Sequence, residues 1–404
     1  MLRARDLLLE ELRAALVAAG EQRSRGDQLF RWIHQKGAAS VAEMSDLRRA
    51  TRERLAAALD LRPLAVEAVQ ASSDGTRKLC LRAVDGARIE AVLIPEDSNR
   101  AASARWGEAR RALPVEGGRE SPPPKEGKLT LCVSTQVGCA LGCRFCATAT
   151  LGLTRDLSAG EIVDEVYRAR VLVAREPDGL RPAGPIAGGH GNPVRVPISM
   201  EGRISHLVLM GMGEPLHNYG QTVRAIRLLT HDLGDGFSTR RITVSTAGLV
   251  PGIERLGREE FQVNLAVSLN ATTDELRSRL MPINKRYPLG ALLGAIRAYP
   301  LARRRRVTFE YVLLGGLNDR DDDARRLVRL LHGIPAKVNL IPWNPHRGLE
   351  FERPTTAHVL RFQELLKRHG LAAYLRATRG DDIAAACGQL VAGDHGPSLA
   401  AVIS

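Results

Sequence analysis

A chain of 404 residues with 44% hydrophobic side chains carries a sizeable core and suggests about two to three domains. Six cysteines over that length exclude a secreted disulfide framework, and no run of about 18 apolar residues offers a membrane span. Lys and Arg outnumber Asp and Glu by 58 to 45, and a net charge of +13 favours a polyanionic partner, most simply nucleic acid.

Residues 1–75 read as a small helical domain. Leu8, Leu9, Leu12 and Leu16 fall at helical spacing and are interrupted by Asp6, Glu10, Glu11 and Arg13, a pattern for an amphipathic helix and against a signal peptide. Leu29, Phe30 and Ile33 form a second apolar face, continued by Met44, Leu47, Leu55 and Leu59. Interleaved Arg23, Arg25, Arg31, Lys36, Arg48, Arg49, Arg52 and Arg54 make the domain a basic platform for RNA, although solvated helix faces look alike at this level. Residues 76–128 hold β-hairpin strands over Lys78 to Ile94, with turns at Asp74-Gly75 and Asp85-Gly86, and then an aperiodic stretch, 97–128.

Residues 129–390 settle into a strand-then-helix order, with a tail at 391–404. Strand runs fall at Thr130–Val133, Ile204–Met210, Ile242–Ser245, Val263–Ser268, Val307–Leu313 and Val338–Ile341. Helical patterns near 158–175, 219–232, 288–299, 320–332 and 355–369 separate them, the first opened by the capping box Ser158-Ala-Gly-Glu161. A second Gly- and Pro-rich stretch, 177–202, interrupts the order. About six such units imply an α/β fold with a parallel sheet curled into a partial barrel, with its chemistry at the carboxyl ends of the strands.

Cys139, Cys143 and Cys146 follow the first strand at C-x3-C-x2-C spacing. Three thiolates without a fourth suit an iron–sulfur cube with one open iron; zinc is the alternative, but a structural zinc site is closed by four ligands and no second ligand pair is present. Such a site needs a reducing compartment, the cytoplasm. Gly211-Met-Gly-Glu-Pro215 follows the second strand, where Gly213 lets a ligand approach the backbone and Glu214 offers a carboxylate to an ammonium group. Ser245, Ser268-Leu269-Asn270 and Asn344 stand at further strand ends, a placement that favours one shared ligand. Cys387 lies in a polar, Gly-bordered loop that reads as exposed; Cys132 is on the first strand, and Cys80 reads as core.

These segments carry a resemblance over nearly the whole chain. Leu131-Cys-Val-Ser-Thr-Gln-Val-Gly-Cys139, Gly211-Met-Gly-Glu-Pro-Leu216, Met281-Pro-Ile-Asn-Lys285, Phe309-Glu-Tyr-Val-Leu-Leu314, Val338-Asn-Leu-Ile-Pro342 and the Cys387 loop resemble the RlmN-type radical S-adenosylmethionine enzymes, with Gln28-Leu-Phe-Arg-Trp-Ile33 similar to their accessory domain. The resemblance implies a partial (β/α)6 radical SAM barrel. It implies a 4Fe–4S cluster on Cys139, Cys143 and Cys146, and S-adenosylmethionine held by Gly213, Glu214, Ser245, Ser268, Leu269, Asn270 and Asn344. It further implies methylation of carbon 2 of adenosine 2503 in 23S rRNA and adenosine 37 in tRNA, using two S-adenosylmethionine molecules. Cys387 would carry the methyl group, Glu90 would act as general base, and Cys132 would release the product through a disulfide. Without the resemblance, Glu90 reads as a solvent-facing carboxylate in an alternating strand.

The implied partners are 23S rRNA, tRNA and a low-potential electron donor of flavodoxin or ferredoxin type; nothing demands more than a monomer. Carbon-8 methylation of the same rRNA nucleotide is the enzymatic alternative, and a non-catalytic RNA-binding protein with a structural metal is the alternative of another class. Asn270 stands where many relatives have His, and Ala384 replaces an acidic residue. Arg105, Arg110, Arg111 and Arg119 in the long stretches, and the Arg303–Arg306 run, are candidate phosphate contacts.

Overall fold

The structure, a computed structural model, describes residues 1–95, 128–175, 204–345, 348–376 and 378–391. The stretch 97–128 except Lys128, which includes the arginines at 105, 110, 111 and 119, the stretch 177–202 and the tail after Val391 lie outside the described residues.

The chain opens with β1 (Leu2–Arg3), which pairs in parallel with β2 (Leu59–Asp60) and closes a module of three helices, α1 (Leu9–Ala18), α2 (Arg25–His34) and α3 (Arg49–Ala58). Leu12, Leu16, Leu29, Phe30, Ile33, Met44 and Leu55 are its buried centre, as their spacing predicts. The expectation of a helical domain through residue 75 is corrected. After Pro63, which biases the preceding residue towards extended backbone, Ala65–Ala71 form β3. Strands β3, β4 (Arg77–Arg82) and β5 (Arg88–Pro95) make an antiparallel meander. Gly75 and Gly86 turn its corners, each at φ 87°, where a side chain would be strained.

The meander is not a unit apart from the barrel, as a division at 128/129 supposed. β5 pairs antiparallel with β6 (Leu129–Cys132), setting Val92 opposite Cys132. The first barrel strand would otherwise present a bare edge, and β5 covers it. One ten-stranded sheet results, in the order β14-β13-β12-β11-β10-β9-β6-β5-β4-β3. The part from β6 to β14 is parallel: β9 (His206–Leu209), β10 (Ile242–Thr246), β11 (Asn264–Ser268), β12 (Val307–Leu313), β13 (Ala336–Pro342) and the short β14 (Ala373–Leu375). β14 adds a seventh parallel strand to the six expected; its three residues are too few for a periodic signal. The sheet is an open, partial barrel, since β14 and β3 stand at its two ends.

Crossover helices cover the sheet where the apolar periodicity predicts them: α5 (Ala159–Arg175), α6 (Tyr219–Thr230), α9 (Leu289–Ala298), α10 (Asp321–Leu331) and α11 (Thr356–Arg368). The capping box forms as expected, with the Ser158 N–H donating to Glu161 Oε2 at 2.9 Å and the Glu161 N–H to Ser158 Oγ at 3.3 Å. Short elements escaped the sequence pattern: α4 (Ala147–Thr150), α7 (Val250–Leu256), α8 (Asp274–Leu280), and the antiparallel pair β7 (Gln136–Gly138) and β8 (Leu153–Asp156).

The amino-terminal module is locked to the barrel through Arg5, which is 2% exposed. Its guanidinium donates to Asp164 Oδ1 on α5 (2.7 Å), Leu61 O (2.9 Å) and Ala38 O (2.6 Å). The second oxygen of Asp164 accepts the Leu64 N–H at 2.7 Å, so every polar group of this buried pair has a partner. Arg303–Arg306, offered above as a phosphate contact, lead into the amino end of β12 and therefore sit on the rim opposite the strand tips. Arg305 donates there to Gln262 O, just ahead of β11, at 2.9 Å.

Candidate active site

The cysteine loop leaves β7 through Gly138, which adopts φ 79°; a Cβ there would collide with the Gly152 carbonyl. That carbonyl accepts the Cys139 N–H at 2.8 Å and closes the loop over α4. On its far side the Arg144 N–H donates to Leu280 O at 2.9 Å, while Leu141, Cys143 and Phe145 pack on a small apolar cluster that includes Ala247, Leu280, Met281 and Trp343. Backbone N–H groups point at the sulfurs, Leu141 at Cys139 and Thr148 and Ala149 at Cys146. Burial makes all three thiols reluctant to ionise: Cys139 is pushed up to about 12, and Cys143 and Cys146 are raised as well. Thiols of this kind become thiolates when a cationic metal centre displaces their protons.

Glu214 faces this loop from the tip of β9 and disfavours ionisation of Cys139 and Cys143. Its carboxyl group is buried and accepts the Ala247 N–H on Oε2 (2.8 Å) and the Leu216 N–H on Oε1 (3.0 Å). Burial outweighs those bonds and lifts its pKa to about 7. The expectation of a free carboxylate is thus refined: two main-chain amides already hold Glu214, and among the described residues no basic side chain forms an ion pair with it. Gly213, at φ 102°, leaves room for the Gln136 side chain, which a Cβ would meet at 2.6 Å. Gln136 Oε1 accepts the Glu214 N–H (2.9 Å), and its Nε2 donates to Asp156 Oδ1 (2.6 Å) beside His217 Nδ1 (3.0 Å). Sequence reasoning gave Gln136 no role.

The other strand-tip residues meet on the same rim, with differences. Ser245 and Ser268 are half-buried at the ends of β10 and β11. Leu269 has its side chain in the main core, so only its backbone faces the rim; its N–H donates to Glu310 O at 3.0 Å. Asn270 adopts φ 59°, a conformation that asparagine tolerates better than most residues. Its amide is engaged within the protein, Oδ1 accepting the Val312 N–H (2.8 Å) and Nδ2 lying 3.3 Å from Met281 Sδ. Asn344 is likewise occupied: Nδ2 donates to Cys387 O (3.4 Å), and Oδ1 accepts from Arg353 (3.1 Å) and Thr378 (2.9 Å). Its contacts serve the Cys387 loop as well as the rim.

That loop was expected to be loose, and it is tied on every side. Gly388 O accepts the Ala147 N–H at 2.7 Å, Leu390 O accepts Thr148 Oγ1 at 2.7 Å, and the Lys78 ammonium reaches Ala384 O at 3.4 Å. Ala384 takes the left-handed conformation at φ 48°. The Cys387 thiol itself is exposed, as expected. Desolvation, with Glu310 next in effect, still pushes its pKa up to about 12. Cys132 is buried on β6, where desolvation first and Cys387 second oppose its ionisation. All six cysteines are free thiols. Cys80 is a core residue of β4 as expected, its sulfur 3.9 Å from Glu90 Oε1.

Glu90 overturns its solvent-facing reading. It is 1% exposed, forms an ion pair with Lys78 at 3.2 Å, and accepts the Val391 N–H at 3.0 Å. Strand alternation pointed it inward, because both faces of the meander are covered at this position. The structure thus brings a buried carboxylate, an accessible thiol and a second thiol to one side of the cysteine loop. A separate polar cleft of about 810 Å³, between the amino-terminal module and β8, is lined by Arg3, Arg62, Arg155, Asp156, His217 and Arg255 among others, and by none of the cysteines.

Comparison with known proteins gives this arrangement its family. Residues 5–60 match the model for the ribosomal RNA large subunit methyltransferase N-terminal domain, and residues 199–328 match the radical SAM superfamily. A dual-specificity RNA methyltransferase RlmN from Anaeromyxobacter dehalogenans is 47% identical over 97% of this chain and 92% of its own length. Its counterpart from Geobacter sulfurreducens is 46% identical over 96% and 92%. The crystal structure of a radical SAM methyltransferase from Sphaerobacter thermophilus superposes with a TM-score of 0.79 at 42% identity, covering 97% of this chain and all of that one. With identity of this order over nearly its whole length, and with the amino-terminal module and the barrel both matched, the chain belongs to the RlmN family of radical SAM, S-adenosylmethionine-dependent RNA methyltransferases.

Proposed function

We propose that the chain methylates carbon 2 of an adenosine in 23S rRNA and in tRNA, and that Cys387 carries the methyl group. The observation that supports this most is the meeting of Glu90 and Cys132 with Cys387, which comes from far downstream in the chain, beside the cysteine loop. The family implies a 4Fe–4S cluster and S-adenosylmethionine. The residues present fit them. Three soft donors sit on one loop with N–H groups directed at sulfur, a feature of cluster sites.

Cys139, Cys143 and Cys146 would hold the cluster, and Glu214 with the Gly213 backbone would meet the methionine ammonium group. Bound there, cluster and cosubstrate supply one-electron cleavage of a carbon–sulfonium bond and hence removal of a hydrogen atom. Cys387 first takes a methyl group by displacement, losing its thiol proton as the new carbon–sulfur bond forms. Hydrogen removal from that S-methyl group gives a carbon radical that adds to adenine carbon 2, an electron-poor position closed to simple displacement. Glu90, aimed by Lys78 and the Val391 N–H, then takes the carbon 2 proton as general base while the adduct radical gives up one electron, which the cluster held by Cys139, Cys143 and Cys146 would take back. Cys132 attacks the Cys387 sulfur, freeing the product and leaving a disulfide that cellular thiols reset. The target base has to leave its stack to reach this site.

The relatives favour this dual-specificity reading over carbon-8 methylation, and digestion of product RNA against 2-methyl- and 8-methyladenosine standards separates the two. We assign the electron supply to a flavodoxin or ferredoxin type of donor and the working form to a cytoplasmic monomer. Among the described residues no helix is long and apolar enough to cross a membrane. Cys132→Ala tests the chemistry: RNA should remain covalently attached to Cys387. Normal turnover without an adduct would remove Cys132 from the mechanism.

A further inference from the structure

Arg277 heads the fully buried side chains by size, yet it forms no ion pair with a carboxylate among the described residues. Nε donates to Leu269 O (3.0 Å), Nη1 to Asn284 Oδ1 (2.9 Å), and Nη2 to Ala247 O (2.7 Å) and Ser268 O (3.1 Å). All four acceptors are neutral. These bonds staple the carboxyl ends of β10 and β11, which carry Ser245 and Ser268. A staple needs donors; it does not need a charge. Carbonyl dipoles offset only part of the cost of a buried cation, and the rest calls for an anion.

The nearby groups that can supply one are few. Asp274 is turned to Asn284 Nδ2 (3.0 Å) and to the Leu289 N–H (2.7 Å), one side chain removed from the guanidinium. The other is the cysteine loop: Ala247, whose carbonyl accepts from Arg277 Nη2, belongs to the small apolar cluster on which Cys143 packs. The segment that bears Arg277 is also the bed of the cysteine loop. Leu280 O accepts the Arg144 N–H at 2.9 Å, a Cβ on Gly142 would lie 3.8 Å from Pro282 Cγ, and Cys143 packs on the cluster formed by Leu280 and Met281.

We propose that Arg277 is a positioning residue acting through its charge: it is the buried counter-ion of the three-thiolate cluster, and it makes that cluster easier to reduce. The inference rests on the cluster assignment above. A cube with three thiolates is anionic and becomes more so when it accepts one electron from the low-potential donor. A fixed cation in low dielectric stabilises the reduced form more than the oxidised one.

The test is a redox titration of the reconstituted enzyme, followed by electron paramagnetic resonance without RNA or S-adenosylmethionine. Wild-type protein that binds no iron and sulfide defeats the cluster assignment itself, separately from this inference. With the cluster present, Arg277→Gln should shift the reduction equilibrium at least about tenfold towards the oxidised form, which is 59 mV for a one-electron couple. Arg277→Lys, which keeps the charge and loses the fork, should restore most of it. Equal midpoints for wild type and Arg277→Gln, or equal shifts for Gln and Lys, would overturn the proposal. Should Arg277→Gln fail to fold or to hold iron, Asn284→Asp decides, because it sets a carboxylate against the intact guanidinium: a lowered midpoint supports the charge role and an unchanged one refutes it.

Discussion

Two carboxyl groups, Glu214 and Glu90, are both buried, and their surroundings differ. Glu214, on the cysteine-loop side, accepts from two main-chain amides and from the Thr246 hydroxyl, and has its pKa lifted to about 7 by burial. Glu90, on the Cys387 side, already has a cation, Lys78, at 3.2 Å. The first is a site that lacks a positive charge and suits an incoming ammonium group. The second is self-contained, aimed by partners drawn from β4 and from the far end of the chain. On the roles proposed above, cofactor binding and RNA chemistry use the same residue type under opposite electrostatic conditions.

Substitutions on either side sharpen this contrast. The largest effect belongs to Glu90→Gln, which keeps the shape and removes the base. Product release should slow by about 10²–10⁴-fold, the usual contribution of general base catalysis, with protein–RNA adduct accumulating in a gel assay. Unchanged release would assign the proton to another group. Lys78→Met takes the cation from the buried pair and should destabilise the fold by about 3–5 kcal/mol, measured by urea titration; a neutral result would show that Glu90 does not depend on it.

Glu214→Gln should have the smallest effect, and a pH-dependent one. The fold binds this proton more tightly than the unfolded chain, whose carboxyl titrates near 4.5. Stability from this group is therefore complete below about 4.5 and falls as pH rises towards about 7, by roughly 3 kcal/mol in all. The glutamine variant, free of S-adenosylmethionine, should lack that part of the decline when urea midpoints at pH 5 and pH 8 are compared. Parallel pH dependence in both proteins would mean that Glu214 is not protonated in the fold.

The sequence carried the barrel well because buried parallel strands are apolar runs and their crossover helices have a 3.6-residue period; β12, for instance, has the predicted limits. It misled at Ala65–Ala71, where alanine, glutamate and glutamine suit a helix but pairing with β4 decides for a strand. Nor does composition say that β5 joins β6, since sheet continuity depends on contacts between distant segments. In the site, the cysteine triad was legible from spacing alone. Glu90 was not: its burial comes from the covering Cys387 loop, and only a family resemblance selected it. Gln136 and Arg277 went unseen for a similar reason, because their partners are carbonyl and amide groups brought close only by folding.

The account turns on Cys387 as the carrier of the transferred carbon. Anaerobically reconstituted enzyme, incubated with S-adenosylmethionine and digested, should yield a Cys387 peptide one methyl group heavier, with Cys132 unmodified. A Cys387 peptide of unaltered mass from protein shown to methylate RNA would contradict it.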